Sequence, residues 1–98
     1  MIKKSYTKTG RSCRVTFKWH PEVEAEKVAL LGEFNAWDEK SHPMKKRKDG
    51  SYSVTLSLDA GQDYRFRYLL DGEQWANDDQ PDRLVRNRFG GSDCVVAV

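Results

Sequence analysis

Tyr64-Arg65-Phe66-Arg67-Tyr68-Leu69-Leu70-Asp71-Gly72 alternates bulky apolar side chains with charged ones and then stops at a turn dipeptide. Tyr64, Phe66, Tyr68 and Leu70 share one parity; Asp63, Arg65, Arg67 and Leu69 share the other. Successive side chains of a strand point to opposite faces, so this period of two marks a strand buried on one face and wet on the other. The same period recurs upstream. Cys13, Val15, Phe17 and Trp19 alternate with Arg14, Thr16 and Lys18. Tyr52, Val54, Leu56 and Leu58 alternate with Ser51, Ser53, Thr55 and Ser57. Thr9-Gly10, Asp49-Gly50, Asp59-Ala60-Gly61-Gln62 and Asp71-Gly72 punctuate the runs as turns. Two more strands are expected, in the apolar run 27–34 and the Val-rich end 94–98. Residues 21–26 start with Pro and acids but hold no helical period, so they read as a loop. About seven short strands in a chain of this length predict an all-β protein, an immunoglobulin-like antiparallel β-sandwich. Residues 1–98 are expected to form one domain, with Val15, Phe17, Trp19, Val54, Leu56, Phe66 and Tyr68 in its core.

Composition narrows the function. Ninety-eight residues cannot hold a catalytic barrel, which needs about 250. Leu, Ile, Val and Phe make up only 20 of the 98 residues, near the level at which chains fail to form a core. Three Trp and four Tyr supply the missing bulk. The net charge of +2 is too small to require a nucleic-acid or membrane partner, and neither is expected. It is unevenly spread: residues 1–48 carry twelve Lys/Arg and six Asp/Glu, residues 49–98 five and nine. The longest apolar runs, Val28-Ala29-Leu30-Leu31 and the Val-rich end 94–98, have four and five residues, against the roughly 20 residues of a membrane span. The start, Met-Ile-Lys-Lys-Ser-Tyr, has no apolar signal region. With two cysteines only, a reduced, cytoplasmic setting is expected. A bridge between Cys13 and Cys94 is the less favoured alternative.

No active site is legible. His20 and His42 stand in no metal-ligand spacing, so neither a metal nor another cofactor is expected. Cys13 falls on an apolar strand face, where a thiol is inert. Asp78, Asp79 and Asp82 are expected in a solvated loop. Gly90-Gly91 makes no phosphate cradle. The basic run Lys45-Lys46-Arg47-Lys48 fits one arm of a hairpin with 51–58, where lysines protect a sheet edge. It lacks the interleaved aromatics of a single-strand platform.

Trp19 is in register with Phe17 and belongs to the core. Trp37 and Trp75 are not. Trp37 follows Phe34-Asn35-Ala36 beyond a strand end, and Trp75 follows the Asp71-Gly72-Glu73-Gln74 turn. Each either folds back over the sandwich edge or serves as a flat platform for a ligand with apolar faces and polar rims. A pyranose ring fits that description: its C–H face stacks on indole and its hydroxyls meet polar neighbours. Arg67, on the opposite face from Phe66 and Tyr68, could fork two hydrogen bonds to adjacent hydroxyls.

Val28-Ala29-Leu30-Leu31-Gly32-Glu33-Phe34-Asn35-Ala36-Trp37-Asp38 resembles the V-x-L-x-G-x-F-N-x-W signature of carbohydrate-binding module family 48. Tyr64 to Gly72 followed by Trp75 resembles its second motif, and Asn87-Arg88-Phe89-Gly90 before a Val-rich strand resembles its third. The family includes the early set domain of isoamylase and branching enzymes and the glycogen-binding domain of the AMP-activated protein kinase β subunit. The resemblance covers about 13–98. It implies an immunoglobulin-like sandwich of early set type that binds α-1,4-linked glucan, such as glycogen or starch, without catalysis. Trp37 and Trp75 correspond to the stacking tryptophans, Arg67 to a basic contact and Phe89 to a bulky apolar contact. Asp93 stands where glycogen binders have an Asn, and a carboxylate cannot donate as an amide does. The implied partners are an α-glucan and, as a candidate, an enzyme of glycogen metabolism. The alternative is an interaction or scaffold module of the same fold, associated with glycoside hydrolases, that has lost the sugar site.

Overall fold

A computed structural model describes residues 2–98. Among the described residues nine strands form two antiparallel sheets: β1 (Ile2–Tyr6), β2 (Ser12–Trp19), β3 (Val28–Gly32), β4 (Lys45–Lys46), β5 (Tyr52–Asp59), β6 (Asp63–Leu70), β7 (Gln74–Ala76), β8 (Arg83–Arg86) and β9 (Ser92–Ala97). The first sheet runs β1-β2-β5-β4, the second β3-β6-β9-β8, with β7 beside the end of β6. With β1–β6 and β9 taken as its seven strands, these are the ABED and CFG orders of an immunoglobulin sandwich. β7 and β8 lie in the connection between the sixth and last of those strands.

The core is built from the alternating runs. Cys13, Val15, Phe17 and Trp19 of β2 are buried against Phe66, Tyr68 and Leu70 of β6 and against Cys94 and Val96 of β9. Phe17 meets Phe66 edge-on at 5.0 Å between centroids, and Trp19 stacks on Tyr68 at 4.5 Å with 16° between ring planes. Such contacts add about 0.5–1.5 kcal/mol each beyond buried area. Val54 and Leu56 differ from expectation: they are only half-buried, although packed against the core. β4 pairs with Tyr52 and Ser53 alone, so it leaves the middle of β5 at an open sheet edge.

The loop after β7 also differs from expectation. Asp78 is buried, not solvated. Its carboxylate accepts from the Tyr68 hydroxyl at 2.6 Å and from the Gln80 amide at 2.9 Å, and its own N–H donates to Cys94 Sγ at 3.2 Å. Burial, reinforced by the Asp78 charge, raises the Tyr68 hydroxyl well above its ordinary value. Burial likewise pushes the Cys94 thiol up to about 11, which leaves it an inert core residue. Asp82 reaches back to Lys4 Nζ at 2.7 Å and accepts from the Ala97 amide, tying the two sheets together. Cys13 and Cys94 are both free thiols. β1, β7 and β8 have no counterpart in the sequence-based expectation.

Candidate functional site

The site begins with a turn that must sit close to its neighbours. At the end of β3, a Cβ on Gly32 would stand 2.6 Å from the Arg65 carbonyl and 2.7 Å from the Phe34 ring, so only glycine fits. The chain then turns through a short 3-10 segment, Glu33–Asn35. The Asn35 side chain satisfies it: Oδ1 accepts from the Gly32 amide, and Nδ2 donates to the Leu30 carbonyl and to His42 Nδ1. Ala36 and Trp37 follow with φ of 54° and 59°, a left-handed pair that non-glycine residues rarely adopt. The Trp37 amide closes the turn onto the Gly32 carbonyl at 3.0 Å. Two strained residues in a row are held here by the bonds around them, and their product is a tryptophan turned onto the outer face of the second sheet.

Trp75 arrives from β7. The Asp71-Gly72 turn brings β7 back along β6, placing Trp75 opposite Leu69. The two indoles meet edge-to-face, 6.5 Å between centroids and 71° between planes. Trp37 is 36% and Trp75 44% exposed, while Leu31 and Leu69 are buried. The same groove, about 960 Å³, is lined by both tryptophans, Leu31, Arg67, Phe89 and Asp93 among others.

The structure therefore brings all five sequence-predicted residues to one groove, in different roles. The Arg67 guanidinium carbon lies 5.5 Å from the Trp75 ring centroid, a cation–π contact. Its Nε donates to Asn77 Oδ1 at 2.9 Å, and Asn77 Nδ2 donates to the Ser92 carbonyl at 3.0 Å. Asn77 thus fixes Arg67 through one bond that leaves the terminal amino groups to other partners. Phe89, 85% exposed, stands at the tip of the β8–β9 hairpin with the Arg88 guanidinium over its ring. Asp93 is only 8% exposed. Its carboxylate accepts from Asn87 Nδ2 at 3.1 Å and faces Arg65 at 3.8 Å. It holds the groove wall and has little surface left for a ligand. Asn77 had no place in the sequence reading and Asn87 entered it only as part of the third motif, without a role, because each acts through partners ten or more residues away or across a hairpin.

The basic run lies elsewhere. Lys45 and Lys46 form β4 at the edge of the other sheet, as a hairpin arm with β5. Among the described residues no His, Cys, Asp or Glu group could hold a metal ion, and no helix is long and apolar enough to cross a membrane.

A β-sandwich carrying an open groove with two exposed indoles has the build of a ligand-binding module. The family comparison agrees. A family model described as the glycogen recognition site of AMP-activated protein kinase matches residues 13–97, and the chain belongs to that family. Curated relatives include the 1,4-alpha-glucan branching enzyme GlgB of Photobacterium profundum, 42% identical over 43 residues, which are 43% of this chain and 6% of that enzyme. GlgB 2 of Xanthomonas oryzae pv. oryzae is 39% identical over 49 residues, 49% of this chain and 6% of the enzyme. GlgB 2 of Xanthomonas campestris pv. campestris is 35% identical over 52 residues, 52% of this chain and 7% of the enzyme. The matched stretch is a small, module-sized piece of each relative.

Proposed function

We propose that this chain is a non-catalytic module that binds α-1,4-linked glucan on the Trp37–Trp75 face. The observation that carries this reading is the exposed indole pair itself. Two planes inclined by 71° suit successive rings of a curved chain. α-1,4 linkages curve a glucan, whereas a flat β-1,4 chain would need platforms lying in one plane. Arg67 and the polar rim then exchange hydrogen bonds with hydroxyls that water already satisfies, so most of the net gain comes from stacking. A net of about −4 to −7 kcal/mol corresponds to a Kd between about 1 mM and 10 μM. An enzyme of glycogen metabolism, of the kind its relatives are, is the protein partner this reading favours.

The experiment is a titration with maltoheptaose, followed by tryptophan fluorescence and amide shifts. Wild-type protein should saturate, and cellopentaose should not bind. Trp37→Ala and Trp75→Ala should each weaken binding by about tenfold, equivalent to about 1.4 kcal/mol. No saturable response up to about 10 mM, beyond the weak end of that range, would sink the reading and favour a scaffold role.

A further inference from the structure

We infer that the open edge of β5 takes up an extended segment of a partner protein in which acidic and apolar residues alternate, added to the first sheet as a further strand. This edge belongs to the sheet that does not carry the indole groove, so it stands apart from the glucan assignment. β4 covers only Tyr52 and Ser53, because the chain just before it belongs to the other sheet. The His42 carbonyl accepts from the Leu30 amide at 2.9 Å, and the Met44 amide donates to the Val28 carbonyl at 2.8 Å. Between Met44 and Lys45 the chain crosses from β3 to β5, and among the described residues no strand lies beside the stretch 54–58 on that side.

The register fixes which backbone groups that stretch offers. The Arg47 amide donates to the Ser51 carbonyl at 2.7 Å. Successive residues of a strand aim their N–H and C=O to opposite sides, so the odd-numbered residues from Ser51 onward aim theirs away from β2. At Thr55 and Ser57 these groups lie past the end of β4 and meet no strand. Sheet edges are ordinarily blunted by charges, proline or bulges. β1 carries Lys3 and Lys4, β8 carries Arg83 and Arg86, and β3 is partly covered by the segment 42–44. Val54-Thr55-Leu56-Ser57-Leu58 has no charge and no proline, and its pairing with β2 runs without a bulge. It is the edge left fit for strand addition, in which main-chain bonds give affinity and alternate side chains give specificity.

The side chains state what the added strand must carry. Val54 and Leu56 pack against the core yet are only half-buried. Inward residues of the new strand would cover them and are therefore apolar. On the outer face the register sets Lys3, Arg14, Lys18 and Lys45 around Thr55 and Ser57. Asp49 faces Lys18 at 3.4 Å, and Asp59 stands at the end of the strand. Lys45 sits beside Ser53, about 7 Å along the strand from the level of Thr55. Outward residues of the new strand are therefore acidic. The same cations disfavour a second copy of this chain, since pairing edge to edge would join two basic faces.

Three heptapeptides test this: alternating Asp and Val, alternating Lys and Val, and the Asp-Val peptide with a central proline. Each is titrated into the protein and followed by amide shifts, amide hydrogen exchange and sedimentation. In the free protein the Thr55 and Ser57 amides should exchange at least about tenfold faster than those of Val54 and Leu56, which pair with β2. The Asp-Val peptide should bind saturably, slow exchange at Thr55 and Ser57 selectively, and bind less well as salt rises. The other two peptides should not bind. Lys45→Glu should weaken the Asp-Val peptide by about threefold to tenfold. Thr55→Pro removes an N–H that faces no strand and should abolish binding, with thermal unfolding as the folding control for both variants. Should Thr55→Pro fail to fold, Lys45→Glu and the proline peptide decide. No saturable response to the Asp-Val peptide up to about 5 mM would overturn the inference. So would equal binding of the Lys-Val peptide, protection of the Thr55 and Ser57 amides before any peptide is added, or a stable dimer formed through this edge.

Discussion

Asn77 shows how a residue outside the expected set shapes the site. Its amide joins Arg67 to the backbone of β9 and keeps the guanidinium over Trp75. Asn77→Ala should lower maltoheptaose affinity by about threefold to tenfold, a loss of about 1 kcal/mol, as expected for one hydrogen bond. In an Arg67→Ala background the same change should have no further effect on affinity. A double-mutant cycle checks this: additive losses would show that Asn77 acts on its own and not through Arg67. Asp38 closes the turn that follows the other tryptophan. Its carboxylate accepts from the Lys40 amide at 2.9 Å and the Ser41 hydroxyl at 3.1 Å, and these bonds hold it below the ordinary carboxylate range. A group lowered in the folded state contributes fully above its unfolded value, near 4, and loses that contribution as pH falls through the lowered one. Glucan affinity should therefore stay flat from about pH 7 to pH 5 and decline only below about pH 4. Fluorescence titrations across that range decide it, and a decline that begins near pH 6 would remove Asp38 from this role.

The β8–β9 hairpin is the element most directly committed to the site. Asn87 holds its tip: Oδ1 accepts from the Phe89 and Gly91 amides, and Nδ2 donates to Asp93. The hairpin presents Phe89 while burying almost none of it. Phe89→Ala should leave stability within about 0.5 kcal/mol, as for other exposed positions. Asn87→Ala should loosen the tip at a cost of about 1–2 kcal/mol. Both should weaken maltoheptaose severalfold, one by removing the contact and the other by misplacing it. Urea denaturation beside the sugar titration distinguishes them. Wild-type affinity in Asn87→Ala would mean that the hairpin holds its shape unaided.

Across the molecule, the core and the candidate site lie on the two faces of one sheet. The inner face of β6 places Phe66 and Tyr68 in the core; its outer face carries Arg67 and Leu69 into the groove. Changes on one face should leave the other alone. Trp19→Ala removes the stack on Tyr68 and should cost about 3–5 kcal/mol, as large core truncations do. That is a large part of the roughly 5–15 kcal/mol that holds a domain together. Chemical denaturation measures it. A small change would place Trp19 outside the packing it makes here. Binding should barely respond to salt between about 50 and 200 mM, because a neutral glucan releases no counterions, in contrast to nucleic acid.

The alternation in β2, β5 and β6 is a local property, and each strand was legible from its own residues. The same periodicity exposed Trp37 and Trp75, because both fall outside it. β1 and β8 were not legible: four of the five residues of Ile2–Tyr6 are exposed, and Arg83–Arg86 has no buried residue, so neither carries an alternation to read. The burial of Asp78, the covered carboxylate of Asp93 and the link from Arg67 through Asn77 to Ser92 depend on which strands lie side by side and in what register. Asp78 meets Cys94, and Asn77 meets Arg67 and Ser92, across ten to sixteen residues, and Asp93 meets Asn87 across six and Arg65 across twenty-eight. A period-two pattern sets which face a side chain takes within its strand. Only the packed sheets set which distant side chain it meets there, because that depends on the pairing of whole strands and not on any one of them.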